Sequence, residues 1–263
     1  MRKNRYLCDR FRYHEERKKM RNKIKNIAVM VMLAAMAILP RLCLAQPVQK
    51  LSKEWKSGTV VPVEMVKRTG LEQWFVQQPI PDAVFARMQG KSYPVGCTVP
   101  RSSLRYLKVL HDDGKGNIRM GEMVCNKLIA DDLLSIFKEL FRNRYPIESI
   151  RLIDDFDAVD ERSMRANNSA CFCYRTVKGS RKLSAHARGM AVDINTLYNP
   201  YYRRSANGRV TVQPSNALKY CDRSASFPYK IERGDLLHKL FVKHGFRWGG
   251  AWRTVKDYQH FEK

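Results

Sequence analysis

Ser184-Ala185-His186-Ala187-Arg188-Gly189-Met190-Ala191-Val192-Asp193 and Asp257-Tyr258-Gln259-His260-Phe261-Glu262 carry the decisive pattern of this chain. Ala191 to Asn195 alternates as a strand does, with Val192 and Ile194 on one side and Asp193 on the other. A carboxylate on that face is costly to bury without a partner. Gly189 lets the backbone turn between His186 and the strand, so His186 and Asp193 can converge. An extended 258–262 turns His260 away from Gln259 and Phe261. His186, Asp193 and His260 together can hold a tetrahedral zinc and leave one position to water. Asp257 is left over to handle protons. Spacing alone leaves a second reading open, in which a buried Asp–His pair satisfies itself without metal.

Between the two stretches lies Gly245-Phe246-Arg247-Trp248-Gly249-Gly250-Ala251-Trp252, a glycine-rich turn with large aromatics. Trp248 reads as a core anchor, and Trp252 equally as core or cleft wall. Upstream, Leu133, Ile136, Phe137, Leu140 and Phe141 make one apolar helical face over about 130–144. Asp131 and Asp132 suit its start, Arg142 and Arg144 its end, and Pro146 closes it. A second helix is expected at about 235–244, capped by Asp235 and ended by Gly245, with His238 and His244 as structural or solvated residues. Leu104 to Leu110 and Ile147 to Ile153 read as strands. His111 to Asn117 reads as a turn, in which turn chemistry outweighs a calcium loop. Asp154, Asp155, Asp157, Asp160 and Glu161 read as a solvated, helix-capping cluster, with metal or substrate contact as the sharper alternative. The pattern is α+β, with a small, mostly antiparallel sheet flanked by helices and no βαβ alternation.

The N-terminus has the form of an export signal. Ile27 to Leu39 is an uncharged apolar run of 13 residues, preceded by many Lys and Arg. It is too short to span a bilayer comfortably, which takes about 20 residues, and it suits a signal-peptide core. Ala45 places cleavage before Gln46, whether translation starts at Met1 or Met20. An uncleaved anchor is the alternative. The expected division is 1–45 signal peptide, 46–100 an irregular, proline-punctuated extension, and 101–263 the domain that carries both motifs. After processing no stable membrane span remains, and the protein works in the periplasm or cell envelope.

The chain of 263 residues carries a net charge of +24. Residues 1–45 hold 12 Lys+Arg and 3 Asp+Glu, so the processed chain keeps +15. Such a protein is drawn to polyanions. The anionic cell envelope is the partner expected of an exported chain. Nucleic acid is not expected, because no reader motif is present. Cys97, Cys125, Cys171, Cys173 and Cys221 survive processing; an oxidising compartment permits two disulfides, with the pairing open. Oligomeric state is left open by the sequence.

Ser-x-His-x-x-Gly-x-Ala-x-Asp, followed by Trp-Gly-Gly-x-Trp and Asp-x-x-His-Phe-Glu, resembles the D-alanyl-D-alanine carboxypeptidase (VanY-type) branch of the M15 zinc peptidases. The resemblance runs over about 168–262, and Arg144 to Asp155 shares its look. It implies a small antiparallel sheet flanked by helices, the fold shared with the hedgehog signalling domain. It implies Zn2+ held by His186, Asp193 and His260, with Asp257 as general base, Arg175 as oxyanion stabiliser and Ser184 as substrate contact. Cys171 and Cys173 stand where relatives often carry Asn before the aromatic-Arg pair, which weakens the Arg175 assignment. The implied substrate is a peptidoglycan stem peptide cut near a D-amino acid, by a carboxypeptidase or an L-Ala-D-Glu endopeptidase. The alternative is a non-catalytic, basic envelope-binding module on the same fold, against which the presence of Asp257 argues.

Overall fold

The 130–144 apolar face becomes a helix because Leu133, Ile136, Phe137 and Leu140 have a sheet to bury against; all four are buried. Each such side chain stabilises the fold by about 1.5–3 kcal/mol when fully removed from water. In a computed structural model, Met20, 55–177 and 180–263 are described. The expected signal peptide, its cleavage site and residues up to 54 otherwise lie outside the described residues. Trp55–Lys263 forms one compact unit.

Along the chain the elements are β1 (Val60–Val61), α1 (Val63–Thr69), β2 (Val76–Gln78), α2 (Asp82–Met88), β3 (Leu104–Asp112), β4 (Ile118–Asn126), α3 (Ala130–Arg142), β5 (Ser149–Ile150), α4 (Asp160–Arg165) and β6 (Asn168–Ser169). They continue with β7 (Ala191–Asp193), β8 (Tyr201–Arg204), β9 (Val210–Gln213), α5 (Leu236–Lys243), β10 (Arg247–Trp248), β11 (Lys256–Asp257) and β12 (His260–Glu262). The main sheet has the order β1-β4-β3-β2 and is antiparallel throughout. Two three-stranded antiparallel sheets, β10-β12-β7 and β11-β8-β9, carry the later half; β5 and β6 pair in parallel. The chain is therefore α+β, as its pattern implied.

Several expectations need correction. Residues 55–100 are not irregular: they supply β1, β2, α1 and α2, and both outer strands of the main sheet come from this segment. Ile80, Val84 and Met88 bury with Leu104, Tyr106, Val124, Leu152 and Phe172 in one cluster. The prolines lie between the short elements, at positions such as Pro62 and Pro81 that immediately precede helices. His111 is no turn residue. It sits in β3 at 2% exposure, and its Nδ1 lies 2.6 Å from the Ile147 carbonyl oxygen. Burial pushes its pKa down to about 4, against the pull of that carbonyl and the nearby acids. The strand expected at 147–153 shortens to β5 and passes into a 3-10 turn at Ile153–Phe156.

The turn itself is organised by Asp113. Its carboxylate accepts hydrogen bonds from the backbone N–H of Lys115 and Asn117, from Asn117 Nδ2 and from Arg119 Nε at 2.6 Å. The acidic cluster is taken up largely by ion pairs and hydrogen bonds, while Asp157 stays exposed and Asp160 and Glu161 open α4 as expected. Buried Asp154 accepts from Ser92, Asp155 faces Arg87 and Arg151, and Asp160 faces Arg175. All five cysteines within the described residues are free thiols. No helix among the described residues is long and apolar enough to cross a membrane.

Glu122, at 1% exposure on β4, is one of the fold's most buried charges. Arg87 reaches it with both terminal nitrogens, at 3.0 and 2.7 Å, and Tyr106 and Ser57 donate to it at 2.6 and 2.9 Å. Removing one partner of a buried pair strands the other charge. We expect Arg87→Ala to lower unfolding stability by about 3 kcal/mol in urea denaturation, whereas Arg68→Ala, at an exposed position, stays within about 0.5 kcal/mol. Equal costs would show that Glu122 is satisfied without Arg87.

Candidate metal centre

Strand register assembles the centre. In the antiparallel pair β7–β12, His260 lies opposite Asp193, so both side chains share one face. The alternate residues Val192 and Phe261 are wholly buried on the other face. There Phe261 stacks on Phe241, with ring centroids 4.4 Å apart, and Trp248 flanks it. Trp248 is therefore a core anchor. Trp252 turns to the groove, its ring centroid 5.3 Å from that of His260.

His186 arrives on a short 3-10 turn, His186–Arg188, which ends at Gly189 in the left-handed region, φ +67°. A Cβ at Gly189 would lie 2.7 Å from the Asn126 backbone nitrogen, so a side chain there would push the turn off the end of β4. Ser184 braces the same turn, its Oγ accepting from the Ala187 N–H at 3.0 Å. His186 Nδ1 lies 2.8 Å from the Cys171 carbonyl oxygen. Only a protonated Nδ1 satisfies that contact, which leaves the Nε2 lone pair facing inward.

At the centre, His186 Nε2 and His260 Nδ1 are 3.2 Å apart. Asp193 Oδ2 lies 3.2 Å from His186 Nε2, and Oδ1 lies 3.0 Å from His260 Nδ1. The ligand atoms of the three residues all fall within 4.8 Å of one another. A tetrahedral zinc with bonds of about 2.0–2.1 Å separates its ligands by about 3.3 Å, so the donor set and spacing fit zinc. Outside it, His260 Nε2 faces Glu262 Oε2 at 3.5 Å, an outer-sphere carboxylate that fixes ring orientation.

The charges are strongly coupled. Burial would raise the Asp193 pKa, but His186 and His260 together hold it well below the usual carboxylate range. Burial would lower that of His260, but Asp193 and Glu262 raise it to about 10. Asp257 stands apart from this triad. Loss of water pushes its pKa up to about 6, helped by the Asp193 charge and opposed by His260. Its one side-chain hydrogen bond comes from Gln259 Nε2 at 3.2 Å. Gly249 admits this segment: a Cβ there would lie 2.6 Å from the Asp257 carbonyl oxygen and 2.9 Å from its Cβ.

All six residues singled out from the sequence, Ser184, His186, Asp193, His260, Asp257 and Arg175, line one groove of about 1030 Å³. Arg175 Nε lies 2.7 Å from Asp160 Oδ2, although its N–H does not point at that oxygen. Burial disfavours the guanidinium charge, and Asp160 restores it. Cys171 and Cys173 line the groove but are no part of the triad, and burial pushes the Cys173 thiol up to about 12. Sequence reading missed the β8–β9 hairpin, which forms another wall. Asn207-Gly208, between Tyr201-Tyr202 and Val210-Thr211-Val212, was its available signal.

Neither the comparison with curated proteins nor that with solved structures finds a match. A family model described as D-alanyl-D-alanine carboxypeptidase, an M15 peptidase group, matches residues 178–263. That stretch contains Ser184, His186, Asp193, Asp257, His260 and the hairpin, and begins three residues after Arg175. In its C-terminal third, the part that builds the triad, the chain resembles the M15 peptidases.

Proposed function

We propose that this protein is an exported zinc peptidase that hydrolyses peptidoglycan stem peptides beside a D-amino acid. The observation that carries the reading is the convergence of His186, Asp193 and His260, with Asp257 in the same groove. The family match supports a peptidase, and the model's own description names D-alanyl-D-alanine.

In this reading His186, Asp193 and His260 hold zinc, and the two imidazoles and one carboxylate leave it a net positive charge. When bound, the ion acidifies water and polarises a peptide carbonyl. Asp257 takes a proton from the attacking water and returns it to the leaving amine. Its raised affinity for protons suits a group that must hold one briefly. Arg175 supplies positive charge for the oxygen that becomes negative. Ser184 keeps a hydroxyl hydrogen available to substrate, because its oxygen serves as acceptor in the turn.

Export follows from the basic, then apolar, N-terminus. N-terminal sequencing of protein from the envelope fraction is expected to read from Gln46; a full-length cytoplasmic product would sink both location and substrate.

Metal analysis after gel filtration is expected to give about one zinc per wild-type chain, as a single three-ligand site requires. His186→Ala and His260→Ala are each expected to lose most of it. Full retention by both would mean that other residues hold the ion. Asp257→Asn is expected to keep its zinc and its melting temperature while stem-peptide turnover falls by about two to four orders of magnitude. A folded, zinc-loaded variant with near-normal turnover would remove Asp257 from the mechanism. Mass spectrometry of digested muropeptides separates carboxypeptidase from endopeptidase cleavage.

A further inference from the structure

The β8–β9 hairpin presents two different faces. Tyr201 pairs with Gln213 and Arg203 with Thr211, while Tyr202 pairs with Val212 and Arg204 with Val210. Directly paired residues share a face, so the ladder sorts its side chains by alternation. Beyond it, the Ser205 N–H donates to the Arg209 carbonyl at 2.9 Å and carries the pairing toward the turn. Tyr201, Arg203, Ser205, Arg209, Thr211 and Gln213 all line the groove that holds the triad. Tyr202, Arg204, Val210 and Val212 do not. The groove wall is therefore the polar, cationic face of a β-ribbon.

Its charge is uncompensated. Residues 201–213 contain no Asp or Glu. Among the described residues no carboxylate lies within ion-pair distance of Arg203 or Arg209, although Arg151, Arg162, Arg165 and Arg175 each have one. Arg203 and Arg209 stand on a cross-strand diagonal, about 7–8 Å apart at the backbone. Both are exposed. Two neighbouring guanidinium groups repel, and an anion between them relieves the repulsion through charge-assisted hydrogen bonds.

The wall also has a fixed position relative to the chemistry. Asp257 pairs with Tyr201 across β11–β8. Arg203 is two residues further along β8, about 7 Å at the strand rise. An extended peptide advances by the same amount in two residues.

We propose that Arg203 and Arg209 form an anion-reading subsite, which selects peptides that carry a free carboxylate about two residues from the bond to be cut. The proposal rests on the peptidase reading above and adds to it the substrate charge that the groove selects.

The test uses pairs of stem peptides that differ only in whether the carboxylate two residues from the cut bond, on either side of it, is free or a carboxamide. Binding is read by fluorescence anisotropy on zinc-loaded Asp257→Asn, and kcat/KM on the active protein. The free acid is expected to bind at least roughly tenfold tighter, the scale of a charge-assisted hydrogen bond. The combined Arg203→Gln and Arg209→Gln changes should bring that ratio close to one with zinc content intact. Arg204→Gln, on the opposite face, should leave the ratio as it was. A wild-type groove that binds both forms equally, or a ratio that survives loss of both arginines, overturns the subsite. Failure of zinc-loaded wild type to cut any peptide would overturn the peptidase reading instead, while the binding ratio still decides the subsite.

Discussion

The antiparallel register of β7 against β12 is the constraint on which the site depends. It sets His260 opposite Asp193. A slip of β12 by one residue would turn His260 into the core and bring Phe261 to the groove, leaving Asp193 without its partner imidazole. What prevents the slip is not the polar cluster itself. Phe261 is fully buried against Phe241 and beside Trp248, and Val192 is buried next to it. The favourable burial of these apolar groups thus offsets the cost of gathering two imidazoles and a carboxylate out of water. Core packing and candidate chemistry are two faces of one three-stranded sheet.

Electrostatics follows a comparable division of labour. The chain is short of acids, and the few it has are heavily committed. Glu122, Asp113, Asp154 and Asp155 are engaged by arginines, serines or backbone N–H groups. Asp160 is held opposite Arg175. With most carboxylates engaged in this way, positive charge is left over on exposed strands, and the groove inherits part of it through the hairpin. Asp257 is one exception. It meets a single amide and the long-range influence of the triad, so its proton affinity is set mainly by the loss of water.

The parts that could be read from sequence were those with local causes. The apolar repeat of Leu133 to Phe141 specifies a helix without reference to anything else, and Asp235 caps the later helix, accepting from the His238 N–H at 2.7 Å, as its position suggests. His186, Asp193, His260 and Asp257 were legible because short motifs carry them, and the fold does bring them to one groove. The strand β4 was not legible. Met120, Gly121 and Glu122 break any strand-like alternation, and it is the nine-residue ladder with β3 and the arginine on Glu122 that make the segment extended. His111 was misread for a related reason: its neighbours Asp112 and Asp113 signal a turn, but the sheet continues one residue beyond it. The role of 55–100 was hidden because each of its elements is too short to have a periodicity of its own.

That last segment bears on how the main sheet is kept from pairing with other copies. β3 and β4 are the two long strands of the main sheet, and β1 and β2 cover their outer edges. Neither cover is longer than three residues, yet each turns a row of open backbone donors and acceptors into an interrupted one, the usual defence against edge-to-edge joining of sheets. A chain begun at residue 101 would keep the triad residues but lose the apolar cover of Phe172 and expose a hairpin of two nine-residue strands on both sides. Its fate would be decided by self-association between copies, well before any question of catalysis arose.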